Sequence, residues 1–324
     1  MNSVIEFFMQ AIPLGMTFLY GSTGEIITEK SGHLNLGIPG IMCLGAAGGC
    51  TVLQSLMVAN GQPLVHPVLV VILGILGSFL VSALAGLLYS FLTVTLKANQ
   101  NVTGLTLTIF GAGTMTYMFE GLVGNKYLFA RPYFRYPFVQ SSNPILHKMN
   151  LFGVMTFLAL IIAIVTTYIL TKTRVGLHLR AVGENPATAD AVGINVTKYR
   201  YIATILGSGI AGLGGLYFVI NYSGSQEAYK SVEAFGWLSV ALVIFALWRP
   251  TLSILGSIVF GCLYIAGYYI PSIPGIKLDM ATTPLLKMLP YVVTVIVLII
   301  TSIRNKKENQ PPTGLGVNYF REER

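Results

Sequence analysis

The stretch PVLVVILGILGSFLVSALAGLLYSFLTVTL, residues 67–96, runs for 30 residues without a charged side chain. A helix needs about 20 mostly apolar residues to cross a bilayer, so this run is long enough for a tilted or broken span. The whole chain has the same character, with 54% hydrophobic and 10% charged residues among 324. Soluble domains carry about 25% charged residues. The sequence therefore predicts an integral membrane protein.

Apolar runs separated by charged residues recur along the chain and predict an all-α polytopic membrane protein. We expect about nine spans, with a range of eight to ten, because one candidate run is short and residues 67–96 are long. The candidate runs are 7–27, 34–58, 67–96, 102–123, 151–171, 201–222, 237–248, 251–270 and 285–303. Residues 1–303 are thus one transmembrane domain. Residues 304–324 are polar, contain Pro311 and Pro312, and are expected to be a disordered cytoplasmic tail.

The basic residues predict the orientation of the spans. With the N-terminus outside and the C-terminus inside, 13 of the 20 lysines and arginines fall in cytoplasmic segments. They are scattered among short loops and the tail, which argues against a nucleic-acid surface. We expect a multi-pass protein of the plasma membrane, surrounded by lipid.

Sites for covalent chemistry and cofactors are not apparent in the sequence. The chain has no G-x-x-x-x-G-K-[ST] phosphate loop, so any ATPase must be a separate chain. The four histidines do not have metal-ligand spacing, so no metal site is predicted. No catalytic residue and no cofactor are predicted either. Glu25 and Glu120 lie near span ends, where we expect water to reach them. The lack of carboxylates at span centres argues against proton coupling and favours a neutral solute, although a sodium site made of backbone carbonyls would escape this test.

The second span opens within SGHLNLGIPGIMCLGAAGG, residues 31–49, where Gly37, Pro39 and Gly40 weaken the helix. Irregular backbone at membrane depth is tolerated where it is buried or lines a cavity. Two interpretations remain open, a proline kink used for packing and a break that brings Asn35 to the solute pathway. Candidate pathway residues, for which packing or interfacial anchoring is the alternative role, are Tyr20, Asn35, Asn221 and Trp237.

Small residues spaced four apart in the sixth run predict close helix contact. Gly207, Ala211 and Gly215 would lie on one helix face and allow a neighbouring backbone to approach. The overlapping G-x-G-x-x-G pattern, which begins at Gly207, lies inside an apolar run without a preceding strand, so it does not indicate dinucleotide binding.

The segment TRVGLHLRAVGENPATADAVGINVTKYR, residues 173–200, is polar and basic at both ends. Asn185 suits an N-cap, Pro186 the first helical position and Gly193 the C-terminal stop, which predicts a helix of about seven residues, or roughly 10 Å. Such a helix is too short to be stable alone in water. It therefore needs the protein body or a docking partner, although an ordinary structured loop is the alternative.

Two motifs resemble the permease family of ATP-binding-cassette (ABC) importers that includes ribose-type and nucleoside-type permeases. They are GEIITEKSGHLNLGIPGIMCLGA at 24–46 and LRAVGENPATADAVGINV at 179–196. The resemblance implies that the second motif forms a cytoplasmic coupling helix inserted into an ATPase cleft. The coupling residues are then Glu184, Asn185, Pro186, Ala187, Asp190 and Gly193. Many relatives have Glu where this chain has Pro39, which puts a pathway role for that position in doubt.

The resemblance also implies partners and a substrate class. The partners are a cytoplasmic ABC ATPase, a second permease in a homodimer or heterodimer, and an extracytoplasmic solute-binding lipoprotein. The first motif is most similar to nucleoside-type members, so the expected solute is a purine nucleoside, with simple sugars as the alternative. A secondary transporter is less favoured, because the coupling motif would have no role in it. A membrane enzyme is disfavoured by the lack of a catalytic constellation.

Overall fold

The computed structural model of the protein describes residues 2–135, 152–270, 283–304 and 310–320. Within these ranges the regular structure is helical, apart from one isolated bridge between Met57 and Pro63. His147, most of the basic loop 124–150 and parts of the tail lie outside the described residues. The α-helices are α1 (Asn2–Glu29), α2 (Ile38–Leu56), α3 (Pro67–Ser90), α4 (Gln100–Gly121), α5 (Arg131–Arg135), α6 (Gly153–Lys172), α7 (Arg174–Glu184), α8 (Pro186–Ala191), α9 (Val196–Leu216), α10 (Val232–Phe245), α11 (Pro250–Tyr269), α12 (Thr283–Lys287) and α13 (Leu289–Arg304).

Seven helical segments in the described residues are long and apolar enough to cross a membrane. They are Val4–Glu29, Ile38–Leu56, Pro67–Thr95, Gly153–Lys172, Val196–Ser223, Gln226–Phe245 and Pro250–Gly267. The prediction of a polytopic all-α protein is therefore confirmed. The two further predicted spans correspond to α4 and to α13, whose apolar part covers only Leu289–Ile300. Their membrane crossing, and with it the count of nine, stays a prediction.

Helices α1, α2 and α9 form the centre of the bundle, and most residues of α2 and α9 are buried. Glycines bring their backbones together: a Cβ atom on Gly24 would lie 2.2 Å from the carbonyl oxygen of Gly207. A Cβ atom on Gly45 would lie 2.4 Å from the carbonyl oxygen of Gly212. A side chain does not fit at either contact. The predicted packing role of the small residues of α9 is thus confirmed.

A second layer surrounds this centre. Helix α3 packs on α2 and α9, α4 on α2, α10 on α1 and α2, and α11 and α6 on α1. The outward faces of α3 and α6 expose large apolar side chains, as expected of helices that face lipid. The bundle is therefore apolar on its outside as well as in its core.

Three helix ends are irregular. Helix α3 continues as a π-helical turn at Phe91–Thr95, and α9 does so at Tyr217–Ser223. The predicted break at the second span lies before the helix, since α2 begins at Ile38 with Pro39 in its first turn. Proline is tolerated there because the first turn has no internal partner for its N–H groups. A kink within the span is therefore not needed.

One end of the bundle, called here the inner face, is formed by residues 30–37, 97–99, 173–195 and 310–320. Backbone hydrogen bonds join these segments, from Gly314 N–H to the Gly183 carbonyl at 2.9 Å and from Gly316 N–H to the Gly32 carbonyl at 3.2 Å. Most of the basic residues predicted to be cytoplasmic lie on or beside them. By the positive-inside rule we expect the inner face to be the cytoplasmic one, and this orientation stays a prediction.

Candidate coupling surface and polar interior

The predicted two-turn helix is present as α8, one residue shorter than expected. The Asn185 side-chain oxygen accepts a hydrogen bond from Thr188 N–H at 3.0 Å, and Pro186 occupies the first turn. Gly193 has φ +86°, and the N–H groups of Gly193 and Ile194 bond back to the carbonyls of Asp190 and Ala189, each at 3.0 Å. This pair of bonds is a Schellman cap. The capped helix predicted from the sequence is thus confirmed, and its coupling role stays a prediction.

Helix α8 is held against the body by one buried residue and by its neighbours. Ala189 packs with Val182 of α7 and Val196 of α9 in a small apolar cluster. On the preceding turn, Gly183 touches the loop after α1, where an added Cβ atom would lie 2.3 Å from the carbonyl oxygen of Lys30. The solvent side of α8 carries small side chains at Ala187, Thr188 and Ala191. The exposed side of the helix is therefore formed by small side chains.

Residues 310–320 lie across the inner face, and we call them the tail strap. The Thr313 hydroxyl donates to Glu184 at 2.8 Å, next to the bond from Gly314 to Gly183. The Tyr319 hydroxyl donates to Oδ2 of Asp190 at 2.8 Å. The strap therefore contacts the region of α8 at both of its ends.

The other side of the strap contacts the connection between α3 and α4. The Lys97 ammonium donates to the Tyr319 carbonyl at 2.6 Å, and Asn318 bonds to the Lys97 carbonyl at 2.8 Å and to the Gln100 amide at 3.0 Å. Gln100 in turn accepts from Leu34 N–H at 2.8 Å. The contacts of residues 310–320 with the body differ from the expectation that residues 304–324 form a disordered tail. Low apolar content does not prevent docking of the strap, because its polar groups form hydrogen bonds with the body.

A buried polar network lies beneath the inner face. Glu25 is fully buried, and its carboxylate accepts from Asn35 N–H at 3.1 Å. The Asn35 side chain accepts from Gly37 N–H at 3.0 Å, and the Trp248 indole N–H donates to Glu29. The expectation that water reaches Glu25 is wrong. The loop of residues 30–37 folds over the end of α1 and covers the carboxylate.

His33 and Arg200 are further buried polar residues beneath the inner face, and no motif in the sequence singles them out. His33 Nδ1 lies 2.9 Å from the Thr204 hydroxyl, while Nε2 has no partner among the described residues. Burial lowers the pKa of His33 from 6.5 to about 3, and the charges of Arg200 and Lys97 contribute to this. The imidazole is therefore neutral at physiological pH.

The structure brings two of the four candidate pathway residues to one place. The Tyr20 hydroxyl donates to the Met155 carbonyl at 2.6 Å, and the Tyr20 ring lies 5.9 Å from that of Tyr217. Tyr217 is 3.0 Å from the Thr156 hydroxyl, and the Asn221 amide donates to the Phe152 carbonyl at 3.3 Å. These neutral groups form a polar cluster at the start of α6, which we call the outer cluster. Asn35 belongs to the network beneath the inner face, and Trp237 is half-buried on α10.

Residues 7–300 match the family described as the branched-chain amino acid transport system / permease component. The chain belongs to this permease family. The permease is 32% identical to the nucleoside ABC transporter permease protein NupC of Lactococcus lactis, over 94% of this chain and 93% of NupC. It is also 32% identical to the putative glucose ABC transporter permease protein TsgC13 of Haloferax volcanii, over 94% of each chain. The guanosine ABC transporter permease protein NupQ of Bacillus subtilis is 28% identical, over 89% of this chain and 88% of NupQ.

No solved structure matches the permease. The resemblance stated from the two motifs is confirmed by the family match. With its seven apolar helices, the chain is a multi-pass plasma-membrane permease subunit of an ABC transporter and not an enzyme.

Proposed function

We propose that this permease imports a neutral solute, a purine nucleoside, and that α8 receives the motion of a separate ATPase. The observation that supports the coupling role is the construction of α8: a two-turn helix on the inner face, capped at both ends, with small side chains outward. Small side chains on this side would let a partner's cleft enclose the helix. Val192, which is 72% exposed at the end of α8, would add an apolar contact with that partner.

The path of the motion follows the contacts of α8. Gly183, at the end of α7 next to α8, contacts the loop after α1, and the Asn195 side chain caps α9 by accepting from Lys198 N–H at 2.9 Å. The tail strap connects Asp190 to Lys97 and Gln100. A displacement of α8 would therefore reach α1, α4 and α9 together, and no covalent step on this chain is needed.

The chemistry of the outer cluster supports a neutral solute. Tyr20, Thr156, Tyr217 and Asn221 offer hydroxyl, amide and aromatic groups without charge. Bases stack on aromatic rings, and ribose hydroxyls bond to neutral donors and acceptors. The names of NupC and NupQ favour a nucleoside. The name of TsgC13 keeps a simple sugar as the second candidate, since sugar hydroxyls would use the same groups.

The proposed assembly has three kinds of partner. ATP hydrolysis takes place on a cytoplasmic ABC ATPase that docks on α8. A second permease, either another copy or a related chain, completes the pathway across the membrane. A solute-binding lipoprotein on the outside delivers the cargo. The predicted coupling residues are Glu184, Asn185, Pro186, Ala187, Asp190 and Gly193.

The coupling role is tested by replacing Asn185 and Pro186 together with alanine, and Asp190 with asparagine. We expect membrane insertion to be unchanged, while uptake and co-purification of the ATPase are both reduced. Glu120→Gln, an exposed carboxylate at the other end of the bundle, is the matched control. Normal uptake by the α8 variants would refute the coupling assignment.

The solute is tested by uptake of labelled guanosine in cells with and without the gene. We expect uptake to depend on the gene and to be inhibited by unlabelled nucleosides but not by glucose. Inhibition by glucose alone would favour the sugar alternative. Guanosine uptake that does not depend on the gene would refute the nucleoside assignment.

A further inference from the structure

A cavity of about 470 Å³ opens beside the inner face, between the end of α6, the helix α7 and the junction of α10 with α11. It is separate from α8 and from the outer cluster. Its lining includes three cations, an aromatic ring, a hydroxyl and an apolar side chain, which belong to Lys30, Arg180, Arg249, Trp248, Thr171 and Leu170. The family match and the proposed function leave this cavity without a role.

Three positively charged side chains line this cavity, those of Lys30, Arg180 and Arg249. Within the described residues, neither Lys30 nor Arg180 forms an ion pair, and Arg180 Nε bonds only weakly to the Gly176 carbonyl, at 3.4 Å. Burial lowers the pKa of Lys30, and so do the charges of Arg180 and Arg249, whereas Glu184 and Glu29 oppose this effect. Three like charges that share a partly buried cavity repel one another. An anion bound between them would remove that repulsion.

The backbone holds the wall of the cavity in a fixed conformation. Leu247 and Trp248 both have positive φ, 53° and 55°, which non-glycine residues rarely adopt. This turn directs the Trp248 indole to Glu29 and places Arg249 immediately before α11. Strained backbone persists where the surrounding structure requires it, often at binding sites. The position of Arg249 is therefore well defined.

The depth of the cavity indicates what kind of anion it meets. Thr167 and Thr171 belong to the last turns of the candidate span Gly153–Lys172, and Pro250 begins the next candidate span. The cavity therefore lies at the boundary between membrane and water. Phospholipid phosphates occupy this level, and basic pockets between spans on the cytoplasmic side suit anionic headgroups. Arginine matches phosphate through its planar set of donors.

An apolar track leads from the cavity towards the middle of the membrane. Helices α6 and α11 contact each other and run in opposite directions. Ile164, three residues before Thr167 on α6, is 59% exposed, and Leu255, four residues after Thr251 on α11, is 64% exposed. Residues three or four apart lie on one helix face. Both side chains therefore continue the two walls of the cavity, where an acyl chain would run.

We propose that this cavity binds the phosphate group of an anionic phospholipid from the leaflet at the inner face. Lys30, Arg180 and Arg249 hold the phosphate, and an acyl chain lies along Ile164 and Leu255. Free phosphate shares the headgroup chemistry but does not use the apolar track. An acidic surface of a partner protein would likewise leave the track uncovered.

The test uses the full-length protein, purified in detergent and titrated with phosphatidylglycerol, phosphatidylcholine or inorganic phosphate, with bound lipid counted by native mass spectrometry. We expect phosphatidylglycerol to bind in preference to phosphatidylcholine. Replacing Arg180 and Arg249 with glutamine should weaken its binding by about tenfold or more, as the loss of charge-assisted hydrogen bonds implies. Arg249→Lys keeps the charge but loses the planar set of donors, so it should retain more of the binding than Arg249→Gln, which separates loss of the site from misfolding.

Lys172→Gln and Arg174→Gln are the matched controls, because both residues are exposed on the same face and neither lines the cavity. They should leave phosphatidylglycerol binding unchanged. Equal binding of both lipids, or equal loss in the controls, would overturn the proposal. Displacement of the lipid by millimolar inorganic phosphate would overturn the lipid assignment in favour of free phosphate. Normal lipid binding with loss of ATPase co-purification in the glutamine variants would assign the cavity to a protein contact instead.

Discussion

The Tyr319 hydroxyl donates a hydrogen bond to Oδ2 of Asp190 at 2.8 Å, although 129 positions separate the two residues in the sequence. Asp190 lies on the proposed coupling helix α8, and Tyr319 lies near the end of the tail strap. The same tyrosine offers its carbonyl to Lys97 at 2.6 Å. One residue thus connects the proposed ATPase contact with the entry to α4.

Removing this hydroxyl should weaken the link without disturbing the strap's backbone. For Tyr319→Phe we expect a loss of about 1.5 to 3 kcal/mol of stability, the usual range for a hydrogen bond to a charged group. We also expect less solute transported per ATP hydrolysed, because α8 is then held only by its remaining contacts. Thermal unfolding and the ratio of uptake to ATP hydrolysis in the reconstituted transporter measure the two effects.

Tyr117→Phe is the matched control, because Tyr117 is 80% exposed on α4. This change should leave both the unfolding temperature and the transport ratio at the wild-type level. If Tyr319→Phe behaves in the same way as Tyr117→Phe, the strap does not take part in coupling.

The N-cap of α8 gives a second prediction. Asn185→Ala removes the acceptor for Thr188 N–H and should cost about 1 kcal/mol of local helix stability, whereas Asn185→Asp keeps a good N-cap. Amide hydrogen exchange of residues 186–191 should become faster in the alanine variant and stay near wild type in the aspartate variant. Identical exchange in the two variants would show that packing of Ala189, not the cap, maintains the helix.

The close approach of Gly183 to Lys30 gives a third prediction. A Cβ atom at position 183 would lie 2.3 Å from the Lys30 carbonyl oxygen, so Gly183→Ala should force α7 away from the loop after α1 and lower stability by about 1 to 3 kcal/mol. Gly113→Ala on α4 is the control, since a Cβ there meets no described atom within 4 Å. Thermal unfolding should be unaffected or slightly raised for Gly113→Ala. An equal unfolding temperature in both variants would contradict the observed contact.

His33 predicts a pH dependence of stability. Its pKa is about 3 in the folded protein, against 6.5 in the unfolded chain, because burial disfavours the charged ring. Between these values the unfolded state binds a proton that the folded state does not. Stability should therefore be constant above pH 6.5 with respect to this residue and fall as pH decreases from 6.5 towards 3. The slope reaches about 1.4 kcal/mol per pH unit for one proton.

His33→Asn removes the titrating group while keeping an amide near the Thr204 hydroxyl, so the acid-side slope should decrease. Thr204→Val keeps the ring and removes its partner, so stability should fall at every pH while the slope remains. Unfolding midpoints recorded from pH 8 to pH 4 distinguish the two cases. A wild-type slope in the asparagine variant would exclude His33 as its origin.

The local features of the inner face could be predicted from the sequence, because each depends on a few neighbouring residues. Asn185, Pro186 and Gly193 define α8 through capping and proline geometry alone. Gly207 and Ala211 predict close packing for the same reason, since their spacing puts them on one helix face. The spans follow from the lengths of apolar runs.

The features that depend on distant segments could not be predicted in this way. The burial of Glu25 depends on the loop that carries Asn35, and the docking of the tail depends on groups at Gly32, Gly183 and Gln100. A polar segment with prolines resembles a disordered one whenever its partners lie elsewhere in the chain. Gly314 and Gly316, which bond to Gly183 and Gly32, are visible in the sequence, but glycines in a polar tail are too common to be diagnostic.

The tail strap also sets the order in which this protein is assembled. A chain that emerges from the ribosome places its N-terminal parts first. Residues 310–320 follow the last predicted span, so the helices can enter the membrane before Tyr319 exists to bind Asp190. The inner face is consequently completed only after residues 310–320 have been made. A chain that has not yet reached residue 310 therefore presents α8 without its strap, so the proposed ATPase contact would change once the strap is made.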